Sequence, residues 1–383
     1  MESSSGDLMT VYAREVSYRV RPDLMNIIER LGAVGISKCF DCGACTVSCP
    51  FSEELGMAPF PRRVIKYVKL GLEDKLVATL EPWLCYYCGD CSDTCPKNAE
   101  PAETMMAVRR YLVTKYDFTG LSRLMYLTRL GWLLAIIILG GIAFLIGWLL
   151  KGPIVLERTE LETFAPVDIV DTAGIAVFII LASILLVNIY RMFRFSVGSL
   201  RGIPLTKAFI ELIKIVPLHF FTQLRLAKCT FKNYWYIHLM IFYGYGLSFI
   251  LFVPLLRLTL SNKPFLFVDP LSIAGILSTI LLIIGASLMI KGRLEKKTHV
   301  WRYSHHTDWM FITLLFLVTI TGILTGVFRT LNYPLPTYIS FALHIVLVTP
   351  FLVLEVPFAK WSHLAYRPFS IYFYRLNQLR GGV

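Results

Sequence analysis

Eight of the nine cysteines fall into two copies of one spacing, Cys39-x2-Cys42-x2-Cys45-x3-Cys49-Pro50 and Cys85-x2-Cys88-x2-Cys91-x3-Cys95-Pro96. Two-residue spacers let three thiolates from one loop wrap a single small object while the fourth reaches elsewhere, which is the ligand run of a two-[4Fe-4S] domain. In such domains the fourth thiolate crosses over. One cluster is then expected to take Cys39, Cys42, Cys45 and Cys95, and the other Cys85, Cys88, Cys91 and Cys49. Paired C-x2-C motifs also bind zinc, and eight cysteines could form four bridges. A zinc site uses four ligands, so a doubled run of four with a proline behind each last cysteine is a poor zinc pattern. Disulfides need an oxidising compartment, and the opening MESSSGDLMT has neither a basic n-region nor an apolar h-region. The cysteine domain is therefore expected in the cytoplasm.

The elements that hold these runs divide the chain in two. Residues 1–120 carry 14 Lys and Arg against 16 Asp and Glu, a net −2, so the remainder supplies +14 of the overall +12. The chain is 56% hydrophobic over 383 residues, which soluble domains are not. Six stretches are long and apolar enough to span a bilayer: about 130–150, 172–190, 234–256, 271–290, 309–328 and 338–359, none containing Lys or Arg. With a cytoplasmic N-terminus, the inner segments 191–233, 291–308 and 359–383 hold 8, 5 and 4 basic residues, and the outer segments 151–169, 257–270 and 329–337 hold 2, 2 and 1. That bias puts both termini in the cytoplasm, in the inner membrane. Basic charge of this kind reports topology and lipid contact, not nucleic acid.

An iron–sulfur domain on the inner face implies a redox group within the membrane, and imidazole is a good haem ligand. His238 near the inner start of the third span and His363 at the inner end of the sixth lie at similar depth, the best pair for one haem b. His344 is nineteen residues from His363, about 28 Å along a helix, so it would serve a second haem whose other ligand is unassigned. His219, on an apolar face with Leu218 and Phe220, is a further candidate haem b ligand, whereas His299, His305 and His306 lie in a basic loop where histidines are usually solvated or lipid-facing. Glu355 is the only acidic residue deep in a span. It reads either as the carboxylic acid of a quinone site or as a buried hydrogen-bonding partner. Cys229 has no cluster-like neighbours and reads as structural.

Around the cysteine runs, residues 1–20 read as an extension. Helices are expected over 21–38, 58–80 and 101–116. Segment 203–228 alternates apolar residues with Lys207, Glu211, Lys214, Arg225 and Lys228, so it is expected to lie along the inner surface. Gly244-x-Gly246 lies mid-span without a third glycine, so no dinucleotide fingerprint is present.

The doubled cysteine run resembles the iron–sulfur C subunit of heterodisulfide reductase. The stretches YWYIHLMIFYGYG and HIVLVTPFLVLEVPFAKWSHLAYRP look like that enzyme's membrane cytochrome b subunit. Their fusion in one chain is similar to the C-subunit family of the Qmo complexes, the quinone-interacting membrane-bound oxidoreductases of sulfate reducers. The resemblance implies two [4Fe-4S] clusters, one or two haem b groups, a menaquinone site, and cytoplasmic flavin and iron–sulfur subunits that connect to adenylylsulfate reductase. Related nitrate reductase cytochromes carry two histidines on one span, whereas the third span here has His238 alone. The expected fold is all-α: a small helical ferredoxin-like domain over 1–120, then a six-helix transmembrane cytochrome b bundle over 121–383. The expected function is electron transfer between the quinone pool and a cytoplasmic partner. The same architecture in a heterodisulfide reductase-like complex, or a haem-free membrane anchor for a soluble reductase, are the alternatives.

Overall fold

The computed structural model describes residues 19–54, 60–227, 232–262 and 269–381. Most of the expected N-terminal extension, and Cys229, lie outside these residues. Every regular element among the described residues is helical.

The cysteine-bearing part is built from α1 (Leu24–Arg30), α2 (Arg62–Lys69), α3 (Glu73–Ala78) and α4 (Pro101–Tyr116), with single-turn helices inside the cysteine runs. Two expected helices are shorter than their periodicity suggests, for a backbone reason. The helix expected over 58–80 breaks at Gly71, which adopts φ +67° and accepts the Arg21 N–H at 2.8 Å. A Cβ there would come within 2.5 Å of the Arg21 carbonyl oxygen, so only glycine allows the chain to close. The helix expected over 21–38 stops at Arg30, with Gly32 and Gly35 both at positive φ before a 3-10 turn at Ile36–Lys38. The third runs as expected, Pro101–Tyr116, with Pro101 in its first turn where the missing N–H costs nothing.

Six long apolar helices follow: α5 (Arg129–Leu150), α6 (Val167–Ser196), then, after α7 (Leu205–Thr222), α8 (Lys232–Phe252), α9 (Pro270–Glu295), α10 (His306–Thr330) and α11 (Pro334–Phe358). All six are long enough to cross a membrane, and their outward faces expose side chains such as Leu130, Ile137, Phe144 and Ile179. Within the bundle, small residues let backbones approach. A Cβ on Gly244 of α8 would lie 2.9 Å from Leu282, and one on Gly285 of α9 would lie 2.7 Å from Ile241. The C-terminal segment, for which the sequence pattern carries no helical expectation, forms α12 (His363–Arg380) despite Pro368 within it.

One apolar core crosses residue 120. It joins α1 to α4 with Ile189 and Met192 of α6, Ala208 of α7, and Tyr366, Phe373 and Leu376 of α12. At its centre Trp83, Tyr116 and Tyr366 pack with ring centroids 6.4, 5.2 and 5.5 Å apart. Aromatic pairs of this kind add about 0.5–1.5 kcal/mol each beyond the area they bury. A buried ion pair closes the junction: Arg110 of α4 donates to Asp308 Oδ2 at 2.9 Å and to the Leu31 carbonyl at 2.8 Å, while Lys360 holds the other Asp308 oxygen. Removing one partner of such a pair leaves an uncompensated buried charge. Arg110→Met is therefore expected to destabilise the chain by roughly 3 kcal/mol, read as a lowered unfolding midpoint in detergent. A midpoint equal to wild type would show that the pair contributes nothing.

Candidate redox site

The two cysteine runs repeat each other in backbone as well as in sequence. Asp41 and Tyr87, each just before the second cysteine, adopt φ +63° and +66°, and Gly43 and Gly89, each just after it, adopt +89° and +97°. The left-handed glycines then start the short helices Ala44–Val47 and Asp90–Asp93, which carry the third cysteines inward. The runs are tied where their fourth cysteines begin, by Thr94 Oγ1 donating to Ser48 Oγ at 2.8 Å.

This doubling brings residues from distant positions together. Cys39, Cys42, Cys45 and Cys95 line one small cavity. Burial pushes the Cys45 thiol up to about 11, with further pushes from Cys39, Cys42 and Cys95. Burial likewise raises Cys91 well above the ordinary thiol range, followed by the charges of Cys85, Cys88, Cys49 and Cys45. So each group of four is drawn from both runs, Cys95 standing with the first and Cys49 with the second. Among the described residues no three Cys, His, Asp or Glu side chains group tightly enough for a single ion.

The structure also brings His238 of α8 and His363 of α12 face to face, with Nε2 to Nε2 at 3.4 Å and rings inclined by 79°. Two imidazole nitrogens that share one metal, each about 2.0–2.1 Å from it, would stand roughly 4.0–4.2 Å apart, so this pair is roughly 0.6–0.8 Å closer than that. His363 Nδ1 bonds the Lys360 carbonyl, which leaves Nε2 with its lone pair toward His238. His238 Nδ1 is buried and has no partner among the described residues.

His344 stands apart in mid-span, where Nδ1 meets the Val318 carbonyl and Thr321 Oγ1, both at 3.1 Å. Among the described residues it is the only histidine lining a cleft of about 1980 Å³ between the spans, whose walls also include Tyr245, Phe351 and Trp361. His219 lies half-buried in the last turn of α7. Glu355 is fully buried; Oε2 accepts the Lys360 N–H at 2.9 Å, and Oε1 has no partner among the described residues.

Several residues outside the expected site join the two halves. Arg109 of α4 donates to the Pro82 carbonyl at 2.6 Å and to the Cys85 carbonyl, which Arg367 of α12 reaches at 3.1 Å. Tyr87, between two cysteines, donates to Glu103, whose carboxyl burial pushes up to about 7. The loop histidines are not solvated: His299 contacts Asp93 and packs over Gly89, His305 meets Thr307 Oγ1 at 2.9 Å, and His306 meets the Met125 carbonyl at 3.1 Å. The adjacent Arg109 and Arg110 on α4, beside the equally buried Glu103, are the signal in the sequence of buried polar contacts there.

A family described as 4Fe-4S dicluster domain matches residues 35–99. The N-terminal part is a 4Fe-4S domain like that of the C subunit of heterodisulfide reductase. The chain is similar to a protein of Archaeoglobus profundus that is itself described as like the heterodisulfide reductase C subunit, 36% identical over 96 residues, which are 25% of this chain and 50% of that protein. It is similar to the iron–sulfur C subunit of the CoB--CoM heterodisulfide reductase of Methanopyrus kandleri, 28% identical over 109 residues, 28% of this chain and 54% of the relative. The C subunit of the ferredoxin:CoB-CoM heterodisulfide reductase of Methanosarcina acetivorans is 30% identical over 87 residues, 22% of this chain and 32% of the relative. The chain thus spans about half the length of the first two relatives. No solved structure matches the chain. Iron–sulfur electron transfer is the chemistry of such a domain, and its eight cysteines are the thiols available for it.

The raised thiols set a pH dependence for the cluster-free domain. Cys45 and Cys49 shift from the ordinary 9.0 to about 11, first by burial, so the unfolded chain gives up these protons before the folded one does. Their contribution to stability is full below 9.0 and is lost as pH rises through about 11. The protein stripped of iron should lose stability across that window, whereas the iron-loaded protein, in which Cys45 and Cys49 would be bound to iron, should not. Unfolding midpoints of the two forms against pH check this, and parallel curves would refute it.

Proposed function

We propose that this chain is a membrane electron-transfer subunit, moving electrons between menaquinol or menaquinone and a soluble partner by way of haem b and two [4Fe-4S] clusters. The observation that carries the reading is the His238 and His363 pair, 3.4 Å apart, on helices that pack beneath the second cysteine run. When bound, the clusters and the haem iron supply one-electron carriers. Cys39, Cys42, Cys45 and Cys95 hold one cluster and Cys85, Cys88, Cys91 and Cys49 the other, in keeping with the thiols that meet in each group. His238 and His363 would hold the haem iron, and the Lys360 carbonyl keeps His363 in the tautomer that leaves Nε2 free to ligate.

The large apolar cleft admits the isoprenoid quinone from the lipid. Glu355, with one carboxyl oxygen unpartnered, sits one turn from the cleft-lining Phe351 and Leu352 and takes or gives the proton that quinone chemistry requires. His344 lines the same cleft and would be a ligand of a second haem b; His219 remains a further candidate haem ligand. The excess of basic residues in 191–233, 291–308 and 359–383 supports an inner-membrane chain with both termini in the cytoplasm. The domain boundary near residue 120 separates the cluster-bearing part from the bundle. The partners are the flavin and iron–sulfur subunits of the same complex, with electrons passing toward adenylylsulfate reductase.

A second reading draws on the relatives from Methanopyrus kandleri and Methanosarcina acetivorans, which are subunits of CoB-CoM heterodisulfide reductases. In it the same architecture serves a heterodisulfide reductase-like complex. The identity of the subunits that co-purify decides between the two.

Two outcomes test the shared core. The purified chain should give the pyridine-haemochrome spectrum of b-type haem, and His363→Ala should remove the inner haem together with quinol-dependent reduction of the clusters. A spectrum without b-type absorbance would instead leave a haem-free anchor. Glu355→Gln should slow turnover with quinol by tenfold or more, about 1.4 kcal/mol in barrier, at unchanged haem content. An unaltered rate would return Glu355 to packing.

A further inference from the structure

Two guanidinium groups, one from each half of the chain, converge on a single carbonyl oxygen. Arg109 and Arg367 both donate to the oxygen of Cys85. We propose that these two arginines form a cationic clamp on Cys85 that raises the reduction potential of the cluster ligated there, and that the clamp makes α12 the path of the electron between that cluster and the histidine pair.

The charge argument starts from Arg109. It is 8% exposed, and its described hydrogen bonds go to the Pro82 carbonyl, Met106 Sδ and the Cys85 carbonyl, with no carboxylate among them. Burying a cation without a counter-charge costs several kcal/mol. A thiolate-ligated iron–sulfur core is an anion and becomes more negative on reduction, so it supplies the counter-charge, and a nearby cation favours its reduced form. Arg367 adds a second positive group at the same oxygen.

The first run lacks this arrangement. Cys39 occupies the position equivalent to Cys85, and its carbonyl meets Lys69, an exposed amine screened by solvent; Arg62 and Lys97 also line that cavity, but Lys97 is exposed and Arg62 is half-exposed and paired with Asp41. The repeat therefore holds two similar ligand sets in different fields. Cys42, Phe40 and Val47 of the first run are exposed as well, so the first cluster faces outward and the second faces the membrane helices.

The path follows from register. Arg367 lies four residues after His363, one turn along the same face of α12. A single turn of helix and one hydrogen bond thus connect the imidazole to the backbone of Cys85. One electron leaves the iron held by the histidines, one enters the cluster held at Cys85, and no bond forms or breaks. This inference rests on the haem reading above.

The test uses the full chain, purified anaerobically with its clusters and haem, and reads cluster potentials by redox titration followed by electron paramagnetic resonance. Arg367→Gln should make one of the two clusters about tenfold harder to reduce, about 59 mV for one electron, and leave the other at its wild-type potential. It should also slow electron transfer from pre-reduced haem to that cluster at least tenfold. Arg367→Lys, which keeps the charge, should restore most of the potential. Iron content and the haemochrome spectrum confirm loading of each variant. Two clusters titrating as in wild type, or two shifting equally, would overturn the clamp. A wild-type chain without b-type absorbance would overturn the haem reading instead.

Discussion

Asp308 stands in the first turn of a membrane helix with both carboxylate oxygens occupied, one by Arg110 from the cluster-bearing half and the other by Lys360 from the turn before the last helix. Three charges withdrawn from water are costly unless each finds its partner. Each partner here comes from a different part of the chain, so the contact is satisfied only in one docking of the two halves. The same turn that supplies Lys360 supplies the carbonyl that orients His363 and the N–H that holds Glu355. Docking, the orientation of His363 and the buried acid therefore share one short stretch, 355–363, and none can shift without the others.

The cysteine runs show how a repeat can be made unequal without touching its ligands. Positive-φ residues, single-turn helices and turn hydrogen bonds recur at matched positions. What differs is what lies against them: solvent, Lys69 and the solvent-accessible Arg62 and Lys97 around the first run, the buried Arg109 with Arg367, Tyr87 with Glu103, and His299 around the second. Two identical ligand sets in different electrostatic surroundings need not share a potential.

The sequence is most legible where chemistry demands fixed spacing. The eight cysteines follow from the geometry of the thing they hold, and the six spans follow from the thickness of a bilayer, so both stand out in a single chain. His238 and His363 can be paired by depth alone, since topology places both near one end of the bundle. The last helix and the arginine clamp are not legible. Pro368 masks α12 as a helix, and a hydrogen bond from Arg367 to a backbone oxygen 282 positions away leaves no trace in local pattern. The broken helix at Gly71 is hidden because apolar periodicity continues across it, while the interruption depends on the Arg21 backbone.

The core that surrounds Trp83 includes Tyr366, Phe373 and Leu376. During synthesis the ribosome releases the cysteine-bearing segment long before those three side chains exist. Its hydrophobic surface must wait, uncovered, for six long apolar helices and the final helix to be made. Assembly of this chain therefore cannot be strictly N-terminal first: the core around Trp83 is among the last parts to be sealed.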